Sequence, residues 1–299
     1  MSFAELIKTG GPILLDGAMG SELEKSGLNL GSSGLYNILH PELVSRIHIQ
    51  YVNAGSQVLT ANTFALNPIY VKNHRPDLDF EKGNRLGVQL ARKAAGEECY
   101  VLGNLTSCGQ LRQPLGPCSE KDFYLNFKEQ AKILAEEGVD GFLIETMFDL
   151  KEALCGLKAC LDVASLPVIV SFAFNDTPGG FRTIMGDTAD QCALEVARAG
   201  GSGIGANCGE LELNRFPELV RRLRESASIP VLVQPNAGLP KISGTKAVYD
   251  LPADSFAQII KECVTSGAVL VGGCCGTGPE HIKMTHQVLS QSGKVINCQ

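Results

Sequence analysis

Tryptophan is absent from this chain, and no apolar run approaches the roughly 20 residues that a helix needs to cross a bilayer. The second absence excludes a membrane span. The leading segment, Met1 to Pro12, lacks the basic stretch and long apolar core of a secretory signal. Without such a signal the 11 cysteines are expected to stay reduced in a cytoplasmic compartment, and their odd number argues against complete disulfide pairing. Clustered basic charge is also scarce: the net charge is −6, and the arginines of Arg221-Arg222-Leu223-Arg224 sit on a mixed helical face. Nucleic acid is therefore not an expected partner. No linker-like or low-complexity segment interrupts the chain, so residues 1–299 are read as one domain.

What the chain does have is a repeated alternation. Eight short apolar runs read as strands: Ile13 to Leu15, Val58 to Ala61, Tyr100 to Leu105, Gly141 to Ile144, Leu166 to Phe172, Ser202 to Asn207, Pro230 to Val233 and Ala268 to Val271. Each is followed by a helix-length segment. Pro41 to Ala54 has helical apolar spacing and stops at Gly55. Ser119 with Asp122 three residues later is a capping box for a helix reaching Glu137. Asp149 opens a helix to about Val163, Thr188 one to Ala199, Glu210 one to about Glu225, and Pro252 one to Gly267. Asn175 to Gly180 is rich in turn residues and reads as a loop. Strands bounded by helices on both sides predict a parallel sheet buried on both faces, and eight repeats predict a closed α/β barrel of the (β/α)8 (TIM) type. The alternative is a doubly wound fold split near Ala173.

In a barrel all the strand ends meet at one mouth, where the chemistry takes place. That would make neighbours of Asp16, Asn62, Glu145, Cys208, Asn236, Cys274 and Cys275, each of which follows an apolar run. Asp16 and Asn62 could equally cap the turns after their strands. Glu145 is harder to explain structurally, because an unpaired carboxylate at a buried strand end is costly. The adjacent cysteines of Gly272-Gly273-Cys274-Cys275-Gly276 prove little alone, since 11 cysteines in 299 residues give about 0.4 such pairs by chance. Both sulfurs reach one point only if the backbone turns there, which the flanking glycines permit. A third cysteine, Cys208, stands in the matching place after another strand. Cys108, at one end of a mouth loop with Cys118 at the other, is a rival ligand. Cys99, Cys155, Cys160, Cys192 and Cys263 read as apolar filling. No histidine follows a strand directly.

Three thiolates suit Zn2+ and leave a fourth tetrahedral position open, as in a catalytic site. A thiol entering that position would lose its proton at neutral pH, and its sulfur would stay electron-rich. Alkylation of a thiol is the natural chemistry. Asp16-Gly17-Ala18-Met19-Gly20, Asn62-Thr63-Phe64, Glu145-Thr146, Gly205-Ala206-Asn207-Cys208, Pro235-Asn236-Ala237-Gly238 and Gly272-Gly273-Cys274-Cys275-Gly276 appear in order across nearly the whole chain. Together they resemble the homocysteine S-methyltransferase family, and most closely the homocysteine-binding module of cobalamin-dependent methionine synthase.

The resemblance implies that Cys208, Cys274 and Cys275 are zinc ligands and that Asp16 and Glu145 help hold the amino acid's charged ends. It also implies that Gly17, Ala18 and Asn62 contribute to the substrate site, with Asn236 beside the ion as a displaceable fourth ligand. Homocysteine is the implied acceptor. The chain ends about twenty residues after its eighth helix starts, so a separate methylated corrinoid protein is the expected donor, with S-methylmethionine or betaine as the alternative. Leu105-Thr106-Ser107-Cys108-Gly109 departs from the family's Gly-Pro-containing turn. Outside the class, a barrel phosphosugar lyase or isomerase, a vicinal-disulfide redox protein and a non-catalytic zinc module are the rivals. Phosphate-gripping glycine loops after strands 7 and 8 would mark the first, yet cysteines stand there and no lysine ends a strand.

Overall fold

The computed structural model describes residues 1–28, 30–243 and 246–293. Twelve strands and twelve α-helices lie among them. In chain order they are α1 Phe3–Leu6, β1 Ile13–Leu14, α2 Met19–Lys25, α3 Tyr36–Leu39, α4 Pro41–Asn53, β2 Val58–Thr60, α5 Pro68–His74, α6 Phe80–Ala95, β3 Tyr100–Leu105, α7 Glu120–Glu136, β4 Gly141–Met147, α8 Leu150–Val163 and β5 Val168–Phe172. There follow β6 Asn175–Thr177, β7 Gly180–Arg182, α9 Ala189–Arg198, β8 Gly203–Asn207, α10 Phe216–Ser226, β9 Val231–Gln234, β10 Lys241–Ser243, β11 Lys246–Val248, α11 Ala253–Ser266, β12 Leu270–Val271 and α12 Pro279–Gln291.

Eight strands form one parallel sheet in the order β1-β12-β9-β8-β5-β4-β3-β2, and a parallel bridge from Leu15 to Val58 closes β1 onto β2. The fold is the expected (β/α)8 barrel. Alternate strand residues divide between two cores. Ile13, Leu15, Val58, Leu102, Leu143, Ile169, Leu232 and Leu270 fill the barrel interior, where Phe3, Leu6 and Ile7 at the amino terminus pack against them. Their neighbours Leu14, Val101, Phe142, Ile144, Val170, Val231 and Val233 face outward under the helices. Both faces are buried, which is why the strands read as continuous apolar runs.

The helix starts follow the caps legible in the sequence. Ser119 and Asp122 form the capping box, Asp149 accepts from the Lys151 and Glu152 amides, and Thr188 accepts from the Gln191 amide. Three stretches differ from expectation. The turn-rich segment after β5 is the hairpin β6–β7, and Lys241–Ser243 (β10) pairs antiparallel with Lys246–Val248 (β11). The helix expected from Glu210 begins at Phe216, after a 3-10 turn over Leu213–Arg215. Pro217 at the start of that helix sets its first turn, because its fixed φ suits that position and its missing N–H costs nothing there.

Glycine matters at one interior position that aims the site. A Cβ on Gly205, in the strand leading to Cys208, would lie 2.8 Å from Leu232 Cδ2 and 2.9 Å from Leu232 Cβ. Gly205→Ala is expected to overpack this layer and destabilise the barrel by about 1–3 kcal/mol. Urea unfolding measures it, and an unchanged midpoint would contradict this packing.

Candidate active site at the barrel mouth

Cys208 directly follows β8 with a φ of 56°, a left-handed conformation for a non-glycine residue. Its amide donates to the carbonyl of Gln234 at 3.3 Å, which fixes the turn against the neighbouring strand end. Beyond β12 the chain leaves the strand and bends around the adjacent cysteines. Gly273 N–H donates to Asp16 O at 3.1 Å, Cys274 N–H to Pro235 O at 2.8 Å, and Ala237 N–H to Cys275 O at 2.9 Å. Gly276 takes a φ of 81° and its N–H donates to Ser21 Oγ at 2.9 Å. A side chain at Gly273 would meet Thr277 Oγ1 at 2.3 Å, so glycine is required for that bend.

The bend turns both sulfurs the same way. The sulfurs of Cys208, Cys274 and Cys275 all lie within 4.8 Å of one another, and Cys208 Sγ is 3.8 Å from Cys275 Sγ. Among the described residues this is the one group of three or more cysteine, histidine or acidic side chains so convergent. All three are free thiols, as are the other described cysteines. Hydrogen bonds from Cys208 and then Cys274 hold the Cys275 thiol far below its ordinary range, while hydrogen bonds to Cys208 and Cys275, together with burial, push Cys274 up. Three sulfurs packed this closely in a buried space make three bare thiolates costly. A divalent cation removes that cost, and three soft sulfurs with room for a further ligand fit zinc.

The thiols line a cavity of about 330 Å³ together with Asp16, Asn104, Glu145 and Gln234. Asp16 Oδ2 accepts from the Thr60 amide at 2.8 Å and Oδ1 from the Thr60 hydroxyl at 2.9 Å. Burial pushes Asp16 up to about 7 against those bonds, with the charge of Glu145 adding to the rise. Glu145 Oε2 accepts from Asn104 Nδ2 at 2.7 Å, and burial raises it too to about 7. Two nearly buried carboxyl groups facing one cavity make a receptor for a cation. An ammonium group between them would let both ionise.

The other expected residues divide. Gly17, Ala18 and Asn62 also line the cavity. Gly17 and Ala18 are held where Ala18 O accepts from the Tyr51 hydroxyl at 3.0 Å and Ala18 N–H donates to Thr277 O at 3.1 Å. Asn62 Nδ2 donates to Ser33 O and Asn37 Oδ1, so its amide nitrogen braces the wall. Asn236 is anchored by Nδ2 to the carbonyl of Gly209, beside Cys208, while its Oδ1 is buried without a partner. Cys108, the rival ligand, is packed instead with Cys118 and Phe123 in a separate apolar cluster.

Residues 13–289 match the homocysteine S-methyltransferase family. The chain belongs to that family. It is an enzyme of the homocysteine S-methyltransferase type. Methionine synthase from Mycobacterium leprae (strain TN) is 31% identical over 289 residues, covering 90% of this chain and 23% of that protein. The chain therefore spans less than a quarter of that relative's length. The metallated crystal structure of the homocysteine methyltransferase MmuM from Escherichia coli superposes with a TM-score of 0.77 at 22% identity, over 95% of this chain and 98% of that one. The carboxyl transferase domain of Rhizobium etli pyruvate carboxylase matches at a TM-score of 0.53, with 16% identity over 91% of this chain and 43% of that one. At such identities both show the shared barrel alone.

Within this methyltransferase barrel, sequence reasoning missed Asn104, Gln234 and Asn207. The first two line the cavity, and each has a buried side-chain oxygen without a hydrogen-bond partner. Their signal was an amide inside an otherwise apolar strand, a placement that is costly unless a partner or a ligand satisfies it.

Proposed function

We propose that this enzyme transfers a methyl group to the sulfur of homocysteine, giving methionine, at a zinc ion held by Cys208, Cys274 and Cys275. The observation that carries the reading is the opening of three convergent thiols into the same cavity as two buried carboxyl groups. Bound there, zinc supplies the positive charge that lets a thiol with an ordinary pKa of about 8.5 shed its proton at neutral pH. The protein's own groups do the rest. Asp16 and Glu145 receive the ammonium group, and Asn104 holds the Glu145 carboxylate toward it. The buried Oδ1 of Asn236, left without a hydrogen-bond partner while Nδ2 is held by the carbonyl next to Cys208, would be the displaceable fourth ligand of the ion. The homocysteine sulfur then attacks the methyl carbon in line; the carbon–sulfur bond forms as the methyl–donor bond breaks, and the electron pair departs with the donor.

A separate methylated corrinoid protein is the donor this reading favours. Leu111, Leu115, Phe148, Ile184, Met185 and Leu239 are exposed apolar residues on segments that follow β3, β4, β7 and β9. A rim of this kind suits a macromolecular donor, whose reacting atom must come within about 3.5 Å of the sulfur. The free thiols of the described cysteines fit a reducing cytoplasm. No described helix is long and apolar enough to cross a membrane.

The test offers zinc-loaded protein and homocysteine to methylcobalamin, a methylated corrinoid protein, S-methylmethionine and betaine in turn. Methionine is expected with the corrinoids. Efficient turnover with either small donor and none with the corrinoids would replace the donor while keeping the acceptor.

A further inference from the structure

Asn207 is the last residue of β8 and is buried to 1% exposure. Its side-chain amide makes hydrogen bonds in four directions. Oδ1 accepts from the Thr146 backbone N–H at 3.1 Å and from the Ser171 hydroxyl at 2.6 Å. Nδ2 donates to Thr146 Oγ1 at 2.6 Å and to the Cys274 sulfur at 3.8 Å. The amide donates and accepts at once, whereas an ionised aspartate only accepts and leucine does neither, so neither repeats the pattern.

The Thr146 end of this network is strained. Thr146 has a φ of 56°, unusual for a β-branched residue, and lies where the β4–β5 register shifts between Ile144 and Met147. Such an irregularity re-aims the neighbouring side chain, and the neighbour is Glu145. Two bonds from one amide hold Thr146 in that conformation. The same amide reaches a sulfur of the thiol cluster from the opposite side.

We propose that Asn207 is a positioning residue that joins the two ends of the pocket, holding Glu145 toward the substrate amine through Thr146 while donating to the Cys274 thiolate. This rests on the metal-site reading above. An N–H directed at a metal-ligating sulfur withdraws electron density from it and fixes its orientation, as outer partners of metal ligands do.

Cobalt(II) is the probe, because its thiolate charge-transfer band moves to longer wavelength as the sulfurs become stronger donors. Asn207→Ala and Asn207→Asp are each expected to shift that band to longer wavelength, since both remove the donor to Cys274. The homocysteine concentration giving half of the cobalt spectral change should rise roughly 10-fold or more in Asn207→Ala. It should rise much less in Asn207→Asp, whose carboxylate still accepts from Thr146 N–H and Ser171. A purely structural role would lower thermal stability and leave the cobalt band where it is. Bands of both variants coinciding with that of the unaltered protein would overturn the proposal, as would equal homocysteine affinity in Asn207→Ala. If Asn207→Ala does not fold, the band of Asn207→Asp decides alone. Failure of the unaltered protein to take up cobalt would instead overturn the metal reading, and this inference with it.

Discussion

Cys208→Ala and Cys275→Ala proteins are expected to purify with little or no zinc and to form no methionine. Removing either thiolate leaves two sulfurs, and the vacated position must be filled by water in a site built for soft ligands. Folding should survive, since the three thiols sit beyond the strand ends rather than in either barrel core. Loss of zinc with an unfolding midpoint equal to that of the zinc-free unaltered protein would place the defect at the site. Metal analysis alongside thermal unfolding measures both, and full zinc occupancy in either variant would remove the cysteine from the ligand set.

The second large effect concerns the carboxyl pair. Glu145→Gln keeps the shape and removes the charge, and it should weaken homocysteine binding by roughly 10- to 100-fold, the worth of one charge-assisted hydrogen bond. The pH dependence has a definite sign. Asp16 and Glu145 are both pushed up to about 7 in the folded protein, from 3.8 and 4.5. Below about 7 they are protonated and cannot hold an ammonium group, so affinity should rise as pH rises through 7. Methionine isolates this effect, because it carries the same ammonium group without an ionisable sulfur.

Stability of the unliganded protein should run the opposite way. A carboxyl group whose folded pKa is raised contributes stability that is complete below its unfolded value and lost as pH climbs through the folded one. Asp16→Asn retains acceptor and donor for Thr60 and never ionises. At pH 8 it should therefore be more stable than the unaltered protein by a few kcal/mol, since each tenfold change in proton affinity is worth about 1.36 kcal/mol. Its homocysteine binding should nevertheless fall. A variant that gained no stability at pH 8 while losing binding would contradict the assigned burial cost.

The sequence made the barrel legible because each strand is buried on both faces and reads as a short apolar run, and because polar residues follow most of those runs. Asp16, Asn62, Glu145, Cys208, Cys274 and Cys275 could be grouped from their positions alone, since closure brings strand ends together. The hairpin β6–β7 and the β10–β11 pair were not legible, because a short excursion over the mouth buries no regular stripe and leaves no periodic signal. Asn207 was hidden differently. It sits inside a motif with Cys208, yet its work depends on Thr146 and Ser171 on two other strands, and no local pattern reports that adjacency. Asn236 followed a strand as the others do, and the sequence could not show that Gly209 would hold its Nδ2 and leave Oδ1 without a partner.

X-ray absorption at the zinc edge, recorded before and after adding homocysteine, tests the account most directly. Three sulfur ligands are expected in the resting protein and four with homocysteine, as the substrate sulfur enters the position left open by Cys208, Cys274 and Cys275. A sulfur count that does not change on adding saturating homocysteine would contradict the claim that the thiol is activated at this metal.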